Sequence, residues 1–440
     1  MANYYVDSAN GNDDNNGSLN SPFKTLKKAG QTAVNSDTVY VRRGLEYQGQ
    51  STFTNYINIK SYGVGKNPLV CCYYKNAPSA TFMQVQKNIW RTYLLESTQW
   101  VGYSADESSV NQGNVGFIYD VLNDMIYGNK KTAFTELTEN FDFISGEQDP
   151  ESIGYGYLYI YCDKNPLEYI KQMILSVLPK NGAIMTLTNV NIQDIDFAYI
   201  GGNAMAANEN FNIYNCNFYK IGGSFLSGKT RIGNGIQMGN VNNSTIKKCK
   251  FEDIYDTATT IQGNNYNANG LDLSYCESNR CNQFVEIWSG DNPCSINNVM
   301  IHHNKIIKCG YGFGGINYPN NFLAPFIFYK CPNLTGNNNS YFKNVIINPK
   351  ELIWGMLSEY NVYPLFINGF INANYNTYFL NKDKMFSSEY KTIEEFRKNL
   401  LQEKNSKIYL IDFGNSYNAY FNLMKYFGVA SYSLLDEISI

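Results

Sequence analysis

Ile192-Gln-Asp-Ile195-Asp-Phe197, Ile213-Tyr-Asn-Cys216-Asn-Phe218, Ile246-Lys-Lys-Cys249-Lys-Phe251, Leu273-Ser-Tyr-Cys276-Glu-Ser278 and Ile301-His-His-Asn304-Lys-Ile306 are five copies of one pattern, with a slip at the end of the fourth. The leading apolar residue returns after 21 residues at the closest (Ile192 to Ile213) and 33 at the widest (Ile213 to Ile246). A period of this size marks a solenoid whose coils carry loops of varying length. Helical repeats place apolar residues three and four apart over long stretches, whereas these segments are short, β-branched and cut by Asn, Gly and Asp. Stacked short strands fit them. Three residues ahead of each leading residue stands Asn189, Asn210, Asn243, Gly270 or Asn298, residue types that accept left-handed backbone at a tight corner.

On these residues the chain resembles the right-handed parallel β-helix, or pectin-lyase-like, superfamily of carbohydrate-active proteins. The resemblance covers about residues 3–87 and 182–350. It implies an all-β solenoid with Ile, Cys and Phe stacked in internal ladders, a helix capping the N-terminal end, and a polysaccharide or oligosaccharide as partner. The expected organisation is a cap and first coils over 1–87, a β-rich insertion over 88–181, the main β-helix over 182–350, and last coils with a helical C-terminal cap over 351–440.

Composition agrees. The 440 residues are 44% hydrophobic and 17% charged, with a net charge of −3, enough for a large core in one elongated domain. No basic excess points to nucleic acid, and no run of 18 apolar residues spans a membrane as a helix. The 37 Tyr and 26 Phe reflect compositional bias first and sugar-stacking surfaces second. Of ten Cys, Cys216, Cys249 and Cys276 share one inward position and Cys281 and Cys309 a second, and no Cys-x-x-Cys spacing occurs. They read as reduced apolar filler. The N-terminus, Met-Ala-Asn-Tyr-Tyr-Val-Asp, lacks the charged start and apolar core of a signal peptide. The expected setting is cytoplasmic or virion-associated, or secreted if a leader was removed.

Along the chain, Ser21-Pro22 is expected to open a helix with Phe23, Leu26 and Ala33 on one face. Asn12-x-Asp14-x-Asn16-Gly17 matches half of an EF-hand loop, but Phe23 stands where the bidentate Glu belongs, so the loop reads as a solvated turn. In the insertion, Trp90-Arg-Thr-Tyr-Leu-Leu, Val115-Gly-Phe-Ile-Tyr-Asp, Phe141-Asp-Phe-Ile and Tyr157-Leu-Tyr-Ile-Tyr161 alternate like strands. Such an insertion would wall one side of a groove. Thr392, with Glu394 and Glu395 following, starts a helix, and Ser416–Tyr426 reads as another.

The functional surface comes from aligning Ile236, Ile261, Ile287 and Ile316 as inward residues of one strand per coil. Their neighbours then face outward: Gly235, Thr260, Glu286 and Gly315 before them, Gln237, Gln262, Trp288 and Asn317 after. Five residues ahead lie Arg231, Asp256, Asn282 and Tyr311. Amides read sugar hydroxyls, aromatic rings cover pyranose faces, and a carboxylate pair cleaves glycosides. The candidate catalytic residues are Asp256 and Glu286, one coil apart and about 5–12 Å from each other by strand geometry, a span covering both retaining and inverting arrangements. Glu286, beside Trp288, is the candidate acid and Asp256 the base or nucleophile. Arg231, Asn234, Gln237, Gln262, Asn282, Trp288 and Tyr311 are the candidate substrate-binding residues. The leading reading is a glycoside hydrolase without metal or cofactor. The second is a polysaccharide lyase acting on a uronate-containing glycan through Lys229 and Arg231, for which the resemblance implies calcium. The third is a non-catalytic glycan-binding or phage tail-spike-like protein. His302 and His303 lack a partner motif and are not read as catalytic.

Overall fold

A computed structural model describes residues 1–102, 113–146, 156–227, 230–317, 323–356, 366–381, 384–411 and 413. Parallel strands stack coil on coil in three faces, as a β-helix requires. The first face is built by Val190–Gln193, Asn212–Tyr214, the second half of Ile236–Lys247, Asn267–Ser274, Cys294–His302 and Asn339–Phe342. The second runs through Asp196–Ile200, Asn217–Ile221, Lys250–Ile254, Glu277–Asn279, Lys305–Ile307, Val345–Ile347 and Thr377–Leu380. The third is Ala183–Thr188, Asn203–Glu209, the first half of Ile236–Lys247, Thr257–Gln262, Gln283–Trp288 and Phe326–Tyr329. Successive coils rise by about 4.8 Å.

The five-copy pattern is the register of this stack. Ile192, Ile213, Ile246, Leu273 and Ile301 pair in one column. Phe197, Phe218 and Phe251 form another, with ring centroids 5.0 Å apart and planes within 9°, and the slipped Ser278 occupies the same column, buried. At the middle position the buried filler changes character. Cys216, Cys249 and Cys276 give way to Asn304, Asn344 and Asn376, whose amides bond one to the next: Asn304 Nδ2 to Asn344 Oδ1 at 3.0 Å, Asn344 Nδ2 to Asn376 Oδ1 at 3.1 Å. Each also returns a hydrogen bond to the preceding coil, Asn344 Nδ2 donating to Ile301 O at 2.9 Å. The ladder ends on buried Glu403, which accepts from Asn376 Nδ2 and the Tyr378 hydroxyl. Buried amides persist because each finds partners. All ten cysteines are buried and free, and burial pushes thiols such as Cys216 and Cys249 well above their usual range.

Left-handed corners appear where expected at Asn189, Asn243, Gly270 and Asn298, but in the second coil Glu209 (φ 61°) takes the turn in place of Asn210. A second left-handed column was not signalled by composition: Asp194, Asn215, Lys248, Tyr275, His303, Lys343 and Tyr375.

The N-terminal helix is Leu26–Thr32, capped by the Thr25 side chain. It starts later than Pro22, because Phe23 is drawn into a bridge with Val6 and the Asp13 carboxylate accepts the N–H groups of Lys24 and Thr25. Strand Leu69–Asn76 runs parallel to Asp196–Ile200 as far as Cys72, then antiparallel to Met173–Val177. The chain thus leaves the coils ahead of residue 88. Its excursion holds an antiparallel sheet of Met83–Gln86, Ile89–Tyr93, Tyr157–Tyr161 and Phe143–Ser145, with Val115–Asp120 against Met173–Val177. Helix Ile393–Leu400 opens on a capping box of Thr392 and Glu395, and Lys407–Leu410 then adds one more parallel strand. Residues 416–426 lie outside the described residues. Among those described, no helix is long and apolar enough to cross a membrane.

Candidate active site

The third face carries a cavity of about 780 Å³. Its floor follows from register. Outward residues Gln237, Thr260, Glu286 and Ile327 pair one coil apart, and two positions on, Gln262, Trp288 and Tyr329 do the same. The inward residue beside Ile261 is Met238, not Ile236. The expected alignment was therefore two residues out in that coil, and because strand side chains alternate with period two the outward assignment survived it. In the last coil it failed: Phe313–Asn317 is a short helix, and Phe326–Tyr329 supplies the strand. Glycines allow that helix to lie on the coil, since a Cβ at Gly314 would meet Tyr255 O at 1.8 Å.

Asp256 stands at the corner where the chain enters Thr257–Gln262. Its N–H donates to Gly233 O at 3.1 Å and its carbonyl accepts from Gln283 N at 3.0 Å, fixing it between coils. Glu286 is 8% exposed, with the Thr260 hydroxyl 3.2 Å from its Oε2. Both carboxyls line the cavity. Desolvation pushes Asp256 up to about 7. Desolvation, then the charge of Asp256, pushes Glu286 to about 8 against the pull of the Thr260 hydroxyl. At neutral pH the pair therefore holds a proton that solvated carboxyls would have lost.

The remaining lining mixes amides with aromatic rings. Asn203 Nδ2 donates to Gln237 Oε1 at 2.6 Å, and Asn203 Oδ1 accepts from Asn234 N at 2.8 Å. Beyond Glu286 lie Trp288 and Tyr329, with Lys330 at the rim. One wall is the hairpin Ser224–Ser227 and Thr230–Ile232, which gives Leu226, Thr230 and Ile232 to the lining. The insertion braces this hairpin: Asn114 Nδ2 donates to Phe225 O at 2.8 Å and Ser224 Oγ to Asn114 O at 2.8 Å; of its described residues, Asn181 at its C-terminal end reaches the cavity lining.

The structure thus brings Asp256, Glu286, Arg231, Asn234, Gln237, Gln262 and Trp288 to one cavity. Arg231 is buried in its wall, with Nε donating to Gly223 O at 2.5 Å, Nη2 to Gly116 O at 3.2 Å, and the guanidinium 4.4 Å from the Tyr255 ring centre. It ties the hairpin to the insertion. Asn282, expected on the surface, is fully buried; a Cβ on Gly315 of the short helix would sit 3.2 Å from its Oδ1. Tyr311 is exposed and is not part of the lining. Lys229 lies outside the described residues. Asn203, Tyr329 and Lys330 were missed. Tyr329 was visible in Phe326-Ile-Phe-Tyr, but the inward role assigned to Ile316 displaced it from the column of Trp288.

No protein-family model matches the chain, and the comparison with curated proteins finds no match. Among solved structures, XylC in complex with xylose is similar at 13% identity over 92% of this chain and 86% of its own, with a TM-score of 0.41. A glycoside hydrolase is similar at 9% identity over 92% and 95%, TM-score 0.44, and a GH136 lacto-N-biosidase from Eubacterium ramulus at 10% over 93% and 68%, TM-score 0.36. Likenesses this distant carry no argument about the cavity, whose chemistry rests on its own residues.

Proposed function

We propose that the protein is a glycoside hydrolase acting on a polysaccharide or oligosaccharide. The observation that carries the reading is the pair Asp256 and Glu286, one coil apart in a cavity lined by amides and aromatic rings, both carboxyls raised by burial. Glu286, the more strongly raised, keeps its proton at neutral pH and delivers it to the glycosidic oxygen as the bond breaks. Asp256, once ionised, attacks the anomeric carbon or takes the proton of an attacking water. Asn203, Asn234 and Gln237 hydrogen-bond sugar hydroxyls on the Asp256 side, and Trp288 and Tyr329 stack on the rings of the departing part.

The test is incubation with neutral and uronate-containing glycans, following new reducing ends together with the ultraviolet absorbance of unsaturated products. Reducing ends without absorbance are expected, with Glu286→Gln and Asp256→Asn each lowering kcat by about 10²-fold or more. Absorbance rising in step with reducing ends would overturn hydrolysis in favour of elimination. Glycan bound but left intact would overturn it in favour of a binding protein.

A further inference from the structure

His302 and His303 are the only two histidines of the chain, and they meet outside the cavity. Adjacent residues on a strand point to opposite faces, but His303 occupies a left-handed corner, φ 54°. That turn brings its ring back beside His302, with the two Nδ1 atoms 2.6 Å apart. At this separation one nitrogen carries the hydrogen and the other accepts it. His302 Nε2 lies 3.2 Å from Asp272 Oδ1, and Asp272 is itself held by Lys247 Nζ at 2.6 Å. Asp272 Oδ1 is buried and, among the described residues, has no hydrogen-bond partner, so it favours the tautomer with the hydrogen on His302 Nε2; the His302 lone pair is then on Nδ1, and His303 supplies the shared hydrogen. Both rings are fixed by stacking, His302 on Phe342 (4.8 Å, 14°) and His303 on Tyr275 (5.0 Å, 17°).

We propose that the Nδ1 atoms of His302 and His303 form a binding site for a divalent transition-metal ion of the zinc, nickel or copper(II) kind. Imidazole is the ligand these ions prefer. With metal–nitrogen bonds of about 2.0–2.1 Å, two nitrogens on one ion lie about 2.9–3.3 Å apart, so the nitrogens separate by about 0.3–0.7 Å and each ring turns within its stack until its lone pair leaves the N–N line and points at the ion. The hydrogen on His303 Nδ1 transfers through water to its Nε2, and no net proton is released. Asp272 acts as the outer partner that sets the His302 tautomer, the arrangement found behind metal-ligating histidines generally. The positive charges of Lys247 and Lys343 act on this pair and keep the affinity modest. Among the described residues no third His, Cys, Asp or Glu completes a cluster, so water fills the remaining positions.

The experiment is calorimetric titration of the full chain, free of any added histidine tag, with zinc chloride at pH 7.5, and electron paramagnetic resonance with copper(II). One ion per chain, with coupling to two nitrogens, is expected. His302→Gln and His303→Gln should each weaken uptake at least tenfold, and Asp272→Asn by about 10–100-fold, with unchanged circular dichroism. Uptake surviving in the double histidine variant, or no uptake by the unaltered protein, would overturn the proposal.

Discussion

Glu286→Gln should stabilise the protein, and only as the pH rises. In the native state Glu286 keeps its proton up to about 8, whereas the unfolded chain releases it near 4.5. A native state that binds a proton more tightly than the unfolded one has its full stability below the unfolded value and loses it as pH climbs towards the folded value. At about 1.36 kcal/mol per unit, that interval sets a ceiling of about 5 kcal/mol. Water entering the cavity reduces the penalty, so about 2–4 kcal/mol is expected at pH 8 and almost none at pH 4.5. Glutamine keeps the shape of the side chain and still accepts the Thr260 hydroxyl. For a chain of this length the entropy of unfolding makes 1 kcal/mol worth about 1 °C in Tm, so the variant should melt about 2–4 °C higher at pH 8. Scanning calorimetry of both proteins between pH 4.5 and 8.5 measures this without any substrate. Parallel curves, or a variant melting lower at pH 8, would refute the account of Glu286 as a buried, proton-holding carboxyl.

Asn344→Leu removes the hydrogen bonds to Ile301, Asn304 and Asn376 and leaves their buried partners unpaired, a loss of about 3–5 kcal/mol readable as a Tm lower by a similar number of degrees. Gly314→Ala sets a methyl 1.8 Å from Tyr255 O, so the helix Phe313–Asn317 must lift from the coil. The expected cost is about 1–3 kcal/mol, and hydrogen exchange should quicken around Asn282. Trp288→Ala should raise KM for the cleaved glycan about tenfold with little change in kcat, reflecting the loss of about 1.4 kcal/mol of stacking; steady-state kinetics on the substrate found in the glycan panel would show it.

The solenoid was legible because its ladders repeat identical chemistry at one position per coil: Ile192 to Ile301, Phe197 to Phe251, Cys216 to Cys276. Even the change to Asn304 stood in the pattern, although its meaning as the start of an amide ladder depended on Asn344 and Asn376, which no repeat motif connected to it. The candidate site was legible where the strands were regular. A two-residue error at Ile236 left Gln237 outward because the period is two. The Ile316 error displaced Tyr329, since a Gly-rich segment holding an apolar residue gives no sign of whether it pairs as a strand or lies flat as a helix. Asn282 matches Asp256 by register, yet the short helix covers it, and a covering element comes from tertiary contact alone. Arg231 was found as a residue and missed as a strut because one of its partners, Gly116, lies 115 residues away in the insertion.

The left-handed corners carry one more consequence. Lys248, Tyr275, His303, Lys343 and Tyr375 hold a backbone shape that Asn215 adopts in its own coil with little strain, whereas a bulky residue there costs about 1 kcal/mol. The molecule therefore keeps a latent thermal margin at its edges. Asparagine at Lys248, Lys343 and Tyr375 would release that margin in small increments, away from the cavity and the core. These corners lie outside the internal ladders, so new surface chemistry can arise there while the ladders beneath stay unaltered.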